Sequence, residues 1–137
     1  MKIHIAKKRG GNTVGRAVGS DVYVSKVVNN GRKLGLCIRL SHKCMDSLRW
    51  RAGDRVLIDF DRDGDTGTLL LTRTDSAESG LCISGLGKGG SSGQIRASLN
   101  ADHLPVIFPN GAPGYHGQLI NGSPNSGEFL IDYATHS

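Results

Sequence analysis

Aromatic residues are scarce in this chain of 137 residues, which contains Trp50, three tyrosines and three phenylalanines. So few rings argue against an aromatic platform on which single-stranded RNA bases stack. Long hydrophobic runs are also missing, since no stretch approaches the roughly 20 apolar residues that a membrane-spanning helix needs. The basic N-terminus has no apolar run behind it, so a secretory signal is not indicated. We therefore expect a cytoplasmic protein that has no membrane partner.

Cysteine is rare as well. Cys37, Cys44 and Cys82 cannot all pair within one chain, and their spacing matches neither a zinc ribbon nor a redox CxxC motif. We expect them to be small buried apolar residues. The histidines are scattered, and no serine lies in a Gly-x-Ser-x-Gly motif. The sequence thus predicts no catalytic residue, no metal site and no cofactor, which indicates that the protein is not an enzyme.

Two short motifs approach known ligand loops, but each lacks a required residue. Asp59-x-Asp61-x-Asp63-Gly64 begins like a calcium loop, yet Leu70 stands where the bidentate Glu is needed. The segment 84–91 hints at a phosphate loop, yet Gly89 replaces the hydroxyl residue that binds magnesium. A solvated hairpin turn explains the first motif better, and a linker explains the second.

Positive charge is unevenly distributed along the chain. From Met1 through Arg55 there are thirteen Lys and Arg against three Asp, a net charge of +10, whereas the remainder has a net charge of −5. Such asymmetry indicates a polyanionic partner for the first part. The other interpretation is a merely soluble basic surface, since charge does not determine the fold.

Composition and hydrophobic periodicity divide the chain into four segments. Residues 1–20 mix cations with glycine and predict a flexible basic arm. Residues 21–74 predict a β-turn-β-helix-β-turn-β unit, with Ser41 as the N-cap of the helix. Residues 75–92 are rich in Gly and Ser and predict a linker. Residues 93–137 predict a second β-rich unit.

The last segment faintly repeats the unit before it. Ile38-Arg39-Leu40-Ser41 aligns with Ile95-Arg96-Ala97-Ser98, and residues 68–72 correspond to residues 128–132. All four prolines of the chain fall in this segment, where proline is expected to exclude a regular helix or a central strand. A degenerate duplication and a chance similarity both fit this pattern.

Three motifs carry a resemblance to a known family: Leu36-Cys37-Ile38-Arg39-Leu40, then Gly53-Asp54-Arg55-Val56, then Gly67-Thr68-Leu69-Leu70-Leu71. With them, the segment 24–72 resembles the AbrB/MazE-like swapped-hairpin (SpoVT/AbrB-type) DNA-binding domains. Those families carry a strand similar to V-R-I-P, a short helix ending in Leu, a G-D-x-V turn and a G-x-L-x-L strand. Ser41 departs from this pattern, because the family has proline there.

The resemblance implies a mainly β fold, namely a small swapped-hairpin-like β-barrel with one short helix. In the family two copies interleave, so the barrel would be completed by a homodimer. If the last segment is a degenerate tandem repeat, one chain would form a pseudo-dimer instead. Basic residues on one face contact DNA in the family, and Lys26, Arg32 and Arg39 fall at matching positions.

The leading hypothesis is a non-enzymatic protein that binds double-stranded DNA, a transcriptional regulator, through the arm and a basic face of the barrel. The candidate nucleic-acid-binding residues are lysines and arginines of the arm and of the barrel, namely Lys7, Lys8, Arg9, Arg16, Lys26, Arg32, Lys33, Arg39, Lys43, Arg49 and Arg51. The alternative is a small protein-binding, antitoxin-like or inhibitory factor that masks an acidic surface of a partner protein. An RNA-binding factor shares the charge argument with the DNA-binding protein.

Overall fold

Ten strands and two short helices form in the part of the chain that the computed structural model describes, namely residues 2–5, 21–29, 33–64, 66–86, 92–109 and 113–133. They are β1 (Lys2–Ile5), β2 (Val22–Asn29), β3 (Lys33–Leu40), α1 (His42–Leu48), β4 (Arg55–Asp63), β5 (Thr66–Thr74), β6 (Leu81–Cys82), β7 (Ser84–Leu86), β8 (Ser92–Ser98), α2 (Leu104–Ile107), β9 (Gly114–Ser123) and β10 (Ser126–Asp132). A short 3₁₀ helix, Ala101–His103, leads into α2.

All ten strands belong to one antiparallel sheet. Its order is β1-β4-β5-β10-β9-β2-β3-β8-β7, with β6 paired to β4. Because β6 and β7 follow each other along the chain and pair with β4 and β8 respectively, they bring the two ends of this order together. The sheet is therefore a nearly closed barrel, and the predicted mainly β fold with a short helix is confirmed.

Alternation of side chains along the strands determines which residues fill the barrel. In β4, Val56, Ile58 and Phe60 are buried, whereas the residues between them are more exposed. β5 has the same period of two and contributes a second apolar row to the core, whereas β2, β3 and β8 each also bury an outward residue, namely Ser25, Cys37 and Gln94. This core also contains Leu69, Leu71, Tyr115, Phe129 and Ile131.

Helix α1 closes one end of the barrel. Ser41 is its N-cap, as predicted, because its Oγ accepts a hydrogen bond from the Cys44 N–H at 3.1 Å. On the buried side, Met45 packs so closely on β8 that a Cβ at Gly93 would lie 2.8 Å from its Sδ atom, so only glycine fits there. Leu48 packs against the β9–β10 hairpin. With α1 of seven residues and α2 of four, the described residues contain no helix long and apolar enough to cross a bilayer.

Apart from β1, which has no counterpart, the strand order remains the same when the two parts of the chain are exchanged. β3, α1, β4 and β5 correspond to β8, α2, β9 and β10, and β2 corresponds to β6 and β7 together. In the β3–β8 register Ile38 faces Ile95, so that Arg39 faces Gln94 and Cys37 faces Arg96. The internal repeat aligns Arg39 with Arg96 and Cys37 with Gln94. A twofold axis through the Ile38–Ile95 pair therefore converts the Arg39–Gln94 pair into the Arg96–Cys37 pair, and both pairs are present. Strand order and register thus have an approximate internal twofold symmetry, whereas descent from a duplication stays a prediction.

The segment boundaries drawn from composition differ from the structure. Within the predicted arm, Lys2–Ile5 forms β1 and pairs with β4, while residues 6–20 lie outside the described residues. The predicted linker contributes β6 and β7, and its Leu81 and Ile83 are only 3% and 1% exposed. β8, β9 and β10 complete the same sheet rather than a separate unit. Local composition misses these strands because their partners are distant in the chain.

Pro109, Pro113 and Pro124 lie outside the strands and helices, as predicted, and only Pro105 lies in a helix, the four-residue α2. Pro105 lies in the first turn of α2, where the N–H that proline lacks would have no helical partner. Pro124 lies in the turn between β9 and β10, and its carbonyl accepts a hydrogen bond from Trp50 Nε1 at 2.8 Å. Because of these positions, neither Pro105 nor Pro124 removes a backbone hydrogen bond of a helix or of the sheet.

Candidate nucleic-acid interface

The eleven predicted nucleic-acid-binding residues fall into different parts of the structure. Five of them lie outside the described residues, namely Lys7, Lys8, Arg9, Arg16 and Arg32. Lys33 is the first residue of β3, but its side chain lies outside the described part. Of the other five, Lys43, Arg49 and Arg51 are exposed, and Lys26 and Arg39 are partly buried.

Three of these cations are exposed at the barrel end that α1 closes, and we call Lys43, Arg49 and Arg51 the basic rim. Their backbone is fixed by hydrogen bonds as well as by the buried side of α1. The Arg49 N–H donates to the Asp46 carbonyl at 3.1 Å, and the Arg51 N–H donates to Asp54 Oδ2 at 3.0 Å. The basic rim therefore presents its charges from a rigid support.

Arg49 has an unusual backbone conformation. Its φ of 59° lies in the left-handed region, and among the described residues it is the one non-glycine residue with a positive φ. This conformation lets the chain leave α1 and turn back toward the core, where Trp50 is buried. Glycine and asparagine are the usual residues at such a helix end, because a Cβ is strained there.

A polar pocket of about 140 Å³ near the basic rim contains two more arginines, Arg55 and Arg73. Asp54 and Asp75 line the same pocket. Two positive charges thus face two negative charges, and the pocket adds no net positive charge to the basic rim. For this reason we do not count its arginines among the candidate contacts.

Arg39 lies on the outward face of the sheet, close to the end of β3 from which α1 begins. The register places Tyr23, Arg39 and Gln94 side by side across β2, β3 and β8. His116 on β9 faces Tyr23, and the centroids of their rings are 4.6 Å apart. Arg96 lies two residues beyond Gln94 on β8, diagonally from Arg39. We call Arg39, Gln94 and Arg96 the arginine face.

The arginine face contains one hydrogen-bonded and one unsatisfied buried group. Gln94 is 5% exposed, and in the amide orientation that satisfies its surroundings its Oε1 accepts from Arg96 Nε at 2.7 Å and from Nη2 at 3.0 Å. Arg39 Nε is buried and has no hydrogen-bond partner in the described part of the chain. Because an unsatisfied buried donor costs about 1–3 kcal/mol, this atom favours an acceptor supplied by a ligand.

Lys26 is separated from the other cations. It lies on the core side of β2, in register with the buried Leu36, whereas Arg39 lies on the outward side of β3. Its Nζ is 6.0 Å from the centroid of the Phe108 ring, a cation–π geometry. Phe108 follows α2, which is at the barrel end opposite α1. The structure therefore does not bring Lys26 together with the basic rim or with Arg39.

Acidic side chains occupy another side of the barrel. Asp59 and Asp61 on β4 and Glu128 on β10 face outward and line a shallow groove of about 260 Å³. The β5–β10 pair, next to which they lie, is opposite the β3–β8 pair in the strand order. Asp59, Asp61 and Glu128, which we call the acidic face, are thus separated in space from the arginine face and the basic rim, although the exposed Asp46 lies on α1 among the cations of the basic rim.

Comparison of the chain with protein-family models, with curated proteins and with solved structures gives no match. The functional interpretation therefore rests on the charges and geometry of the chain itself and on its motif resemblance.

The sequence-based candidates omit four residues that the register places around Arg39, namely Tyr23, Gln94, Arg96 and His116. A signal existed for Arg96, because the internal repeat aligns it with Arg39. The other three have no local signal, since they reach Arg39 only through strand pairs between distant parts of the chain.

The three cysteines differ in exposure, and we expect them to differ in reactivity. Cys37 and Cys44 are buried as predicted, whereas Cys82 is exposed, contrary to prediction. Burial and the nearby negative charge of Asp21 raise the pKa of the Cys44 thiol from 9.0 to about 12. Because the thiolate is the nucleophile, iodoacetamide should modify Cys82 in the folded protein at about pH 8 and Cys44 only after unfolding. Peptide mass spectrometry measures both rates, and equal rates would contradict the assignment.

The same pKa shift predicts a loss of stability at alkaline pH. Between pH 9.0 and about 12 the unfolded Cys44 thiol ionises while the folded thiol stays protonated, so this contribution is complete below pH 9.0 and is lost as the pH rises. The free energy of unfolding should fall by up to about 1.4 kcal/mol per pH unit in this range. Tyr133, whose pKa is also raised by burial, acts in the same direction. Denaturation of the wild type and of Cys44→Ala at several pH values isolates the cysteine, since its removal should make the fall shallower.

Proposed function

We propose that the chain is a cytoplasmic, non-enzymatic DNA-binding protein, a transcriptional regulator, that contacts double-stranded DNA with the basic rim and the arginine face. The separation of charge in space carries this proposal. Exposed cations lie at one barrel end and the two arginines on one outward face, while Asp59, Asp61 and Glu128 lie on the side of the β5–β10 pair. A polyanion can therefore approach one side of the molecule without meeting the acidic face.

The rigidity of the basic rim favours a polyanion of regular geometry. Lys43, Arg49 and Arg51 sit on a helix and a turn that are fixed by buried side chains and hydrogen bonds. Phosphates of duplex DNA are regularly spaced, and each phosphate that a cation neutralises releases a condensed counterion. Cations on a rigid backbone contribute to such binding without a large cost in backbone ordering.

The conformation of Arg49 supports the same proposal. An arginine in the left-handed region has a backbone strain that glycine would not have. Strained residues persist where the surrounding structure holds them, and they are frequent at ligand-binding sites. A cation retained at a position that favours glycine is thus consistent with a binding role for its charge.

The resemblance to swapped-hairpin DNA-binding domains supports the proposal from the sequence side. Its motifs lie in β3, in the turn before β4 and in β5, and Arg39 belongs to the first of them. In the family two copies build the barrel, and here the internal twofold arrangement lets one chain supply both. We therefore favour the pseudo-dimer over the homodimer as the DNA-binding form.

A salt-dependent titration tests the proposal. Fluorescence anisotropy of a labelled random duplex should show binding at about 50 mM salt, with log K falling linearly with log salt at a slope of about −3 to −5. Light scattering on the same sample gives the mass of the bound form. Competition with duplex and single-stranded RNA shows which nucleic acid is preferred. Lack of affinity at low salt, or affinity without a salt slope, would overturn the proposal.

A further inference from the structure

We infer that β9 has a docking edge for a second copy of this chain, formed by the backbone of residues 120–123, where two barrels pair strand to strand about a twofold axis. Each barrel stays complete within its own chain. This dimer therefore differs from the interleaved homodimer of the swapped-hairpin families, and its formation does not depend on DNA binding.

One edge of β9 is only partly paired. β2 pairs with residues 114–117 of β9, and just beyond them the Leu119 N–H donates to Asp21 Oδ2 at 2.8 Å. Residues 120–123 are exposed and still pair with β10 on their other side, but no described residue pairs with them on the side of β2. We call residues 120–123 the open edge. Its unpaired backbone groups are a template for another strand.

The internal twofold symmetry shows that the fold has a place for a strand there. β9 corresponds to β4, and one edge of β4 is occupied by β5 along its whole length. On the other edge of β4, β6 pairs with residues 55–56 and β1 pairs with residues 58–61. On β9, β2 takes the place of β6, and the open edge is the position that corresponds to β1. No described strand of the chain fills this position.

The composition of the open edge favours an identical strand as its partner. Exposed edges are commonly protected by charged residues or proline. Residues 117–127 contain no charged side chain, and their one proline lies in the turn after β9. A charged partner strand would gain no ion pair here, whereas two copies paired antiparallel would meet without like-charge repulsion between the strands. Ile120 is 53% exposed, and pairing would remove both copies of its side chain from water.

A bulge limits the length of this edge and therefore its affinity. In the β9–β10 register Leu119 pairs with Phe129 and Asn121 pairs with Glu128, so Ile120 is an extra residue. Such a bulge bends the strand, and the regular pairing with β10 resumes at Asn121. Four residues from each copy bury less surface than a typical stable interface of about 1,600 Å². We expect a reversible dimer with a Kd of roughly 1–100 µM.

The open edge lies at the barrel end that carries the basic rim. A Cβ at Gly122 would lie 2.8 Å from Cδ2 of Leu48, which places the open edge beside α1. Pairing there would bring two basic rims together and double the cations that a duplex can meet. A duplex that spans both barrels should therefore raise the fraction of dimer. This consequence rests on the proposed function, whereas the pairing itself does not.

Sedimentation velocity of the full-length protein tests the pairing. Between about 1 µM and about 500 µM the mass should rise from that of a monomer to that of a dimer. I120K places like charges on both sides of the axis and should weaken the dimer at least about 10-fold. L130K is the matched control, because Leu130 is 39% exposed but lies on β10, which is paired on both sides. It should change the Kd by less than about twofold.

Amide hydrogen exchange of the wild type provides a second measurement, which remains valid if I120K fails to fold in a thermal melt. Exchange at alternate residues of the open edge should slow as the protein concentration rises, whereas exchange in β5 should not change. A chain that stays monomeric at about 500 µM would overturn the inference, and the open edge would then suit a strand of another protein.

Two further results separate the pairing from the proposed function. A dimer that I120K and L130K weaken equally would overturn the open edge as the interface, even if the protein binds DNA. A dimer that I120K alone disrupts, in a protein that binds no duplex, would support the pairing and overturn the proposed function.

Discussion

The variant K43Q/R49G/R51Q, which removes all three charges of the basic rim, is expected to bind duplex DNA about 100-fold more weakly at about 100 mM salt than the wild type. Each lost phosphate contact reduces the salt slope by about one, so the slope should become shallower by about three. The anisotropy titration described above measures both quantities. This change removes the exposed cations at the barrel end and leaves the arginine face intact.

The substitutions are chosen so that the fold is retained. Lys43 and Arg51 are exposed, and glutamine keeps most of their length. Arg49 has a φ of 59°, which glycine adopts without strain, so R49G should not lower the free energy of unfolding by more than about 1 kcal/mol. Chemical denaturation of the variant checks this expectation. Any loss of binding then reports the missing charges and not an unfolded helix.

K26Q provides the matched control for this prediction. It also removes one lysine charge, but Lys26 lies at the other barrel end beside Phe108. Its effect on duplex binding should be less than about twofold, because long-range charge effects are largely screened at about 100 mM salt. If K26Q weakened binding about fivefold, the average effect expected for one of the three charges of the basic rim, net charge alone would explain the affinity, and the basic rim would not be the contact surface.

The local elements of residues 21–74 could be predicted because their signals are local. Alternating β-branched residues indicate β2, and the capping serine Ser41 indicates the start of α1. Apolar runs predict strands over 55–60 and 68–72, and both strands are longer in the structure, where β4 extends to Asp63 and β5 begins at Thr66. The ends of β4 and β5 that meet in the hairpin consist mostly of polar residues, and such a composition is typical of a turn. The sequence therefore predicts strands that are too short.

The rest of the fold and part of the site depend on pairs between distant residues. β6 has two residues and β7 has three, which is too short for any periodicity to appear. Charge made the residues of the basic rim and Arg39 candidates, and the family resemblance added support for Arg39, but both criteria applied equally to Lys26. Only the register shows that Lys26 faces the core side and that Arg96 lies diagonally from Arg39. Such information is absent from a single sequence read locally.

Cutting the chain between Ala77 and Glu78, in an exposed turn, is expected to abolish folding of either half alone. The pairs β3–β8, β5–β10 and β2–β9 all join the two halves, so each half alone would leave long strand edges unpaired and its apolar face in water. Each fragment should therefore lack a cooperative unfolding transition. Mixing the two in equal amounts should restore the circular dichroism spectrum, the transition and binding to duplex DNA.

An insertion of about ten Gly and Ser residues at the same place is the control, since lengthening a surface loop costs little entropy. This variant keeps the halves in one chain and should unfold within a few degrees of the wild type. The comparison therefore separates the effect of breaking the chain from the effect of disturbing the turn. A fragment that unfolds cooperatively at the mass of a monomer would contradict the shared barrel, because one half would then contain a complete core. It would show instead that residues 21–74 and 93–137 are independent units, as their composition first indicated.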